Sequence, residues 1–267
     1  MERASAIVIS ASSDIGAHLA RVLAQRGYEV VGTYRQRSPA AAKLEALGVR
    51  LLPLDISSKD QVADFAHSLR KSGFSWSVLI SAAGLLEPIG KFFDLDFEAW
   101  QRTVALNSTD QLRVLHAVFP MRDPASVAKV VFFAGGGTNG AFDNYSAYCL
   151  GKIQLIKMTE LLDSEYPELQ VSIIGTGWVN TKIHRQTLAA GAAAGANLRK
   201  TREFLQMKDG AGSSLDSVTK CVEWCLSSPR GAVGGRNIAM AHDPWRSPEL
   251  ASRLAADPDL YKLRRRS

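Results

Sequence analysis

A phenol and an amine stand four residues apart in Tyr148-Cys149-Leu150-Gly151-Lys152. Positions i and i+4 share one face of a helix, so the two side chains would project together. An ammonium beside a phenol favours the phenolate and weakens the phenol's hold on its proton. Tyr148 is therefore a candidate proton donor and acceptor near neutral pH. The same spacing arises by chance in many helices, so its meaning depends on what the rest of the chain supplies.

A second set of residues lies near the start of the chain. The run Ala6–Ile9 leads into Ser10-Ala11-Ser12-Ser13-Asp14-Ile15-Gly16. In an open parallel sheet the turn after the first strand faces the ligand crevice. Small residues there let the backbone approach a pyrophosphate, and the N–H groups and dipole of the following helix would hold it. Gly16 would let that helix pack closely on the sheet. An ordinary serine-rich turn reads the same way from this segment alone.

Alternating strand and helix signals must position these sets. Strands are expected at Ala6–Ile9, Glu29–Tyr34, Arg50–Leu54, Ser77–Ser81, Lys129–Phe133, Gln170–Gly175 and Asn237–Ala239. Helices are expected at Ile15–Arg26, Ala40–Leu47, Ser58–Ser72 (capped by Ser57 or Ser58), Phe97–Phe119, Tyr145–Tyr166 and Ser217–Ser227. This order implies right-handed βαβ crossovers and an α/β, doubly wound parallel sheet of about seven strands, covered by helices on both faces. No composition shift divides the chain, so residues 1–267 read as a single domain. Residues 181–214, rich in Ala and Gly, read as an irregular, flexible segment near the substrate.

Taken together, the motifs resemble the short-chain dehydrogenase/reductase family, whose fold is Rossmann-type. Ser10–Gly16 resembles its glycine turn, and Ser81-Ala82-Ala83-Gly84 its Asn-Asn-Ala-Gly segment. Asn107 stands where the family has a proton-relay asparagine, and Tyr148 and Lys152 match its catalytic pair. Gly175-Thr176-Gly177-Trp178-Val179-Asn180-Thr181 resembles its Pro-Gly-x-x-x-Thr segment. The resemblance implies NAD(P)-dependent hydride transfer between a carbonyl and a secondary alcohol. It assigns the dinucleotide to Ser10, Ser12, Ser13, Asp14, Ile15, Gly16, Tyr34, Asp55, Ile56, Ala82, Ala83, Gly84, Tyr148, Lys152, Gly177, Val179 and Thr181. It also implies a homodimer or homotetramer, built on the two long helices.

The chain departs from the family in several places. Ser10 and Asp14 replace two glycines of the turn. A side chain at Ser10 requires negative φ, and Asp14 would cap the helix with its carboxylate turned away from a pyrophosphate. The family's catalytic serine, 13 residues before the tyrosine, is Gly135 here, within Ala134-Gly135-Gly136-Gly137-Thr138-Asn139-Gly140. Either Thr138 supplies the hydroxyl, or the glycine N–H groups polarise the carbonyl, or the protein binds nucleotide without turnover. The rival functions are a non-catalytic NADP-binding sensor or scaffold and a sugar-nucleotide-modifying enzyme. The glycine run also suits a bulky or polar substrate, such as a sugar. The second strand ends in Thr33-Tyr34-Arg35-Gln36-Arg37, with no acid to grip a ribose diol, so Arg35 and Arg37 favour NADP(H) over NAD(H). Tyr145 is a candidate for the same pocket, and Lys182, His184 and Arg185 are candidates for an anionic substrate.

Bulk properties exclude other classes. The net charge is +6, with Lys262, Arg264, Arg265 and Arg266 concentrated at the end as a solvated basic tail. There is no basic stripe interleaved with aromatics, so nucleic acid is not expected. No apolar run reaches the ~20 residues of a membrane span, and Met1–Ser5 leads straight into a strand without a secretory signal. Cys149, Cys221 and Cys225 have neither disulfide-framework nor zinc spacing. They read as reduced residues of a cytoplasmic protein with no metal. The segments Asp243-Pro244-Trp245 and Tyr261–Arg266 are candidates to cover a neighbouring subunit's active site.

Overall fold

The computed structural model describes residues 4–37, 39–207 and 212–265. Arg266 of the basic tail, Met1–Arg3 and residues 208–211 of the 181–214 segment lie outside the described residues. The strands are β1 (Ser5–Ile9), β2 (Glu29–Tyr34), β3 (Arg50–Pro53), β4 (Val78–Ser81), β5 (Ala128–Phe133), β6 (Leu169–Gly175) and β7 (Asn237–Ala239). They pair in parallel as one seven-stranded sheet in the order β3-β2-β1-β4-β5-β6-β7. The order reverses between β1 and β4, which places a ligand crevice beyond their carboxyl ends.

Helices cover both faces. They are α1 (Asp14–Gln25), α2 (Pro39–Ala46), α3 (Lys59–Lys71), α4 (Phe97–Leu106), α5 (Thr109–Val118), α6 (Ser146–Glu165), α7 (His184–Ala190), α8 (Ala196–Gln206), α9 (Leu215–Ser227), α10 (Arg230–Val233) and α11 (Pro248–Ala256). Strand side chains alternate between two cores. Ala6 and Val8 face Leu19 and Leu23 of α1 and Val218 and Val222 of α9. Ile7 and Ile9 face Phe65 of α3, Leu115 of α5 and Leu155 of α6. A sheet buried on both faces needs such near-continuous apolar strands. Cys221 and Cys225 are buried in the first core with free thiols.

Four expectations are corrected. The helix over 97–119 is two helices, because Asn107 caps α4 and Ser108 leaves helical geometry at φ −140°, ψ −87°. The segment expected to be irregular carries α7, a 3-10 turn and α8 over its described residues 184–206. The pair is pinned to the rest of the fold: Leu86 N donates to Gln186 Oε1 at 2.8 Å, Tyr145 Oη to Thr187 Oγ1 at 2.8 Å, and Asn197 Nδ2 to the Asp143 carbonyl at 3.0 Å.

The basic tail is docked rather than solvated as far as Arg264, which pairs with Glu160 of α6 at 2.6 Å and with Asp259 at 2.8 Å. The Arg264 guanidinium, joined by the Lys157 ammonium, holds the Glu160 carboxyl down at about 2. Finally, Trp245 is buried in its own chain's core and donates to the Met240 carbonyl at 3.2 Å, so it does not reach out to a neighbour.

Candidate active site

The turn after β1 is built around Ser10 and Gly16. Ser10 has φ +60°, not the negative φ expected, so it holds the left-handed conformation that a glycine adopts there without strain. Its N–H donates to Thr33 Oγ1 at 3.0 Å and its carbonyl accepts from Ser13 N at 2.9 Å. These two bonds over-determine the strained residue. Ser13, rather than Asp14, caps α1, accepting from Gly16 N at 3.0 Å. A Cβ on Gly16 would stand 2.2 Å from the Ser10 carbonyl oxygen, so only glycine fits. Ser12 and Ile15 complete the turn, both partly buried. Asp14 does point away along the turn: its Oδ2 accepts from Lys182 N at 2.7 Å.

At the adenine end, Tyr34 closes β2 half-buried and Arg35 is exposed. Arg37 is engaged by Glu45 of α2. Asp55 does not cap α3, a place taken by Ser58. Its Oδ1 instead accepts from Ser57 N at 3.0 Å and Ser57 Oγ at 2.7 Å. The Ile56 side chain belongs to the core, while its carbonyl accepts from Arg113 at 3.4 Å.

The end of β4 meets α6 at the catalytic candidates. Ala82 N donates to the Ile9 carbonyl at 3.1 Å, which joins β4 to β1 beside the turn. Lys152 is 3% exposed, and its Nζ donates to the Ala83 carbonyl at 3.2 Å. A Cβ on Gly84 would lie 3.9 Å from that Nζ, 3.8 Å from Asn107 Oδ1 and 3.9 Å from Ile183 Cδ1, so these three groups converge on Gly84. Asn107 is held by the main chain: Leu85 N donates to its Oδ1 at 3.1 Å, and its Nδ2 donates to the Leu85 and Thr103 carbonyls at 2.8 and 3.0 Å. Gly151 permits the helix crossing this requires, since a Cβ there would stand 2.7 Å from Asn107 Cβ.

Tyr148 lies on the same face of α6, with Lys152 Nζ 5.9 Å from its ring centroid. Its hydroxyl has no hydrogen-bond partner among the described residues. The ammonium does not acidify the phenol here. Burial, and secondarily the Cys149 thiol, push Tyr148 above the usual phenol range. Burial lowers Lys152 to about 7, so the positive charge that would act on the phenol is itself disfavoured.

The glycine run packs against this helix at Gly135 and Gly137, while Gly136 and Gly140 stay exposed. Gly135 abuts the Tyr148 ring, Gly136 lies against Phe142, and a Cβ on Gly137 would meet Cys149 Sγ at 2.6 Å. The Thr138 hydroxyl points back to the Gly135 carbonyl at 3.4 Å. Thr138 therefore closes the glycine turn in the position where a substitute hydroxyl was expected.

The segment after β6 arches over the crevice. Gly177 turns it with φ +66°. Val179 is buried, its carbonyl bonded to His184 Nε2 at 2.9 Å, and the Thr181 carbonyl accepts from His184 N at 3.3 Å. Trp178 stacks on His184 with ring centroids 5.3 Å apart, which commits His184 to packing. Arg185 is exposed. Ile183 and Gln186 belong to the site's walls and carry no sequence signal beyond their place after the sixth strand. Tyr145 is 1% exposed and stacks on Phe142, so it is a wall of the site behind Tyr148.

Comparison with known proteins agrees with this fold. Residues 9–237 match the family profile described as enoyl-(acyl carrier protein) reductase. An NAD-dependent glycerol dehydrogenase of Listeria innocua is 23% identical over 239 residues, covering 87% of this chain and 90% of that protein. The cis-4-hydroxycyclohexanecarboxylate dehydrogenase of Sinomonas cyclohexanicum is 30% identical over 185 residues, covering 67% of this chain and 74% of that one. A short-chain dehydrogenase/reductase structure from Saccharomyces cerevisiae superposes with a TM-score of 0.79 at 19% identity, over 93% of this chain and 98% of that one. With its crevice between β1 and β4 and a profile match along most of its length, the chain belongs to the short-chain dehydrogenase/reductase family of NAD(P)-dependent oxidoreductases that interconvert carbonyls and alcohols.

Proposed function

We propose that Tyr148 is the acid and base of this oxidoreduction, acting on a small carbonyl or secondary alcohol with NADP(H) as the preferred dinucleotide. The observation that carries the reading is Lys152. It is a nearly fully buried amine whose one hydrogen-bond partner among the described residues is the Ala83 carbonyl, in the crevice beside a phenol with an uncommitted hydroxyl. An ammonium has three donors, and burying it with two unused is costly unless another partner completes them.

The residues present fit a dinucleotide. The Ser10–Gly16 turn and the start of α1 would hold the pyrophosphate, and Lys152 the nicotinamide ribose hydroxyls. Ala82, Ala83 and Gly84 would line the floor, with Gly177, Val179 and Thr181 at the carboxamide. The bound nicotinamide supplies or accepts the hydride. Tyr148 gives its hydroxyl proton to the substrate oxygen in reduction and takes it back in oxidation. Lys152, once hydrogen-bonded, favours its charged form and lowers the phenol's proton affinity. Asn107 fixes the end of α4 against Leu85 and so sets the crevice wall that Lys152 leans on. Arg35, past the end of β2 with no acid beside it, supports a 2′-phosphate partner.

The substrate would approach from a depression of about 540 Å³ bordered by Lys91, Phe92, Phe142, Asp143, Asn144 and Lys200. Phe142 also belongs to the apolar cluster that holds Tyr148. A polar, sugar-like molecule suits that rim, which carries both lysines and a carboxylate. Leu150 and Leu161 leave exposed apolar surface on α6, which supports a homodimer or homotetramer built on α5 and α6. Unpaired thiols support a cytoplasmic setting.

The purified protein should oxidise NADPH in the presence of at least one member of a panel of hydroxyketones, aldoses and ring ketones bearing carboxylates. Tight NADPH binding with no consumption across the panel would contradict the catalytic reading.

A further inference from the structure

Lys182 reaches the cofactor turn rather than the substrate mouth. Its main-chain N–H donates to Asp14 Oδ2 at 2.7 Å, and its Nζ donates to the Ser12 carbonyl at 2.7 Å. One residue thus bridges the strap after β6 to the turn after β1 with both its backbone and its side chain. Its neighbour Ile183 lies against Gly84, next to Lys152, so the strap spans the crevice from the turn to the catalytic amine.

Asp14 is the first residue of α1, so its carboxylate already occupies the place where a helix start favours an anion. A dinucleotide brings a second and third negative charge to the same turn, and like charges at close range repel. A cation seated 2.7 Å from the turn's own carbonyl offsets that repulsion. Ser12 cannot supply it, and the other titratable side chains of the turn region, His18 and Arg21, are turned to each other and to Asp216.

We propose that Lys182 is a pyrophosphate-binding residue, and that the Asp14 side chain, by accepting from the Lys182 main-chain N–H, is the anchor that holds it over the turn. This rests on the dinucleotide reading above. When a dinucleotide enters, the Lys182 ammonium exchanges the Ser12 carbonyl for a phosphate oxygen, a charge-assisted bond of the stronger kind. The Asp14 carboxylate keeps the Lys182 main chain in place, so the strap stays bridged to the turn while the ammonium changes partner. The ligand class is any dinucleotide or ADP-ribose fragment, independent of the 2′-phosphate and of the nicotinamide.

Calorimetric titration of the whole protein with NADPH, NADH and ADP-ribose tests this directly. Lys182→Gln should weaken all three by a similar factor of about 10, and should flatten the salt dependence of binding. Lys182→Arg should restore affinity to within about threefold. Asp14→Asn keeps an acceptor for the Lys182 N–H and removes the repelling charge, so it should tighten all three by about three- to tenfold. Circular dichroism and melting curves confirm that each variant is folded.

ADP-ribose binding by Lys182→Gln within twofold of the parent would overturn the proposal, as would a loss confined to the KM of the carbonyl substrate. Failure of the parent protein to bind any of the three ligands would instead overturn the dinucleotide reading on which the proposal stands.

Discussion

A Cβ placed on Gly135 would stand 2.3 Å from the Tyr148 hydroxyl oxygen and 2.4 Å from its ring carbons. The phenol occupies the volume that a side chain at position 135 would need. The missing serine and the position of the tyrosine are therefore one structural fact. Tyr148 leans into the space the glycine leaves, and its hydroxyl lies over Gly135 with no hydrogen-bond partner among the described residues.

Gly135→Ser should not recover a lost function. The ring would have to move, and overpacking of this kind costs about 1–3 kcal/mol. At roughly 2–4 °C per kcal/mol for a chain of this size, the melting temperature should fall by several degrees. Turnover should stay level or drop. Steady-state rates and melting curves of the variant check this, and a clear rise in kcat would show that the hydroxyl is wanted there after all.

Lys152 carries a stability signature. Its ordinary value of 10.5 is lowered to about 7 by burial. Below about pH 7 both the native and the unfolded chain hold the proton, and the native state bears the full cost of the buried charge. Between about 7 and 10.5 the unfolded chain binds the proton more tightly, so stability rises with pH. Above that window the cost is gone. Lys152→Met removes the group, so its stability gain should be largest near pH 6, on the order of a few kcal/mol. The gain should shrink steadily toward pH 10. Urea unfolding of both proteins at pH 6, 8 and 10 reads the difference; a gain that does not vary with pH would show that burial is not what shifts this lysine.

Much of this was legible before the structure. The near-continuous apolar strands and the serine before α3 mark real elements, because burial on two faces and the capping of free N–H groups leave strong local patterns, whereas Ser13 rather than the expected Asp14 caps α1. The break at Asn107 did not show. Apolar spacing runs on through it, and the cause is a side chain bonded to Leu85 on another segment. The helices α7 and α8 were hidden by glycines and alanines that read as loop, although alanine is the best helix former once Gln186, Thr187 and Asn197 find partners elsewhere. Positive φ at Ser10 is likewise imposed by its bonds to Thr33 and Ser13, not by residue type. In the site, the pairing of Tyr148 with Lys152 was readable from spacing, but their protonation was not, since it depends on how deeply α6 buries them.

Dinucleotide choice should rest on Arg35 more than on Arg37. Arg37 is tied to Glu45, whereas Arg35 is exposed at the end of β2. Arg35→Asp should weaken NADPH binding by about 10- to 100-fold and improve NADH binding, because it removes a phosphate partner and installs a ribose-diol acceptor. Arg37→Ala should change the NADPH Kd by no more than about threefold. Fluorescence titration with both dinucleotides measures the two ratios. Selectivity that follows Arg37, or neither arginine, would remove the basis for preferring NADP(H).

The most direct test of the central claim is Tyr148→Phe, which deletes one oxygen and keeps the ring that fills the space above Gly135. NADPH oxidation with an active carbonyl substrate should fall by at least about 100-fold, the range expected for loss of a positioned proton donor. The NADPH Kd should stay within about twofold, because the hydroxyl is uncommitted in the free protein. Parent-like turnover in this variant would contradict the assignment of Tyr148 as the proton donor and acceptor.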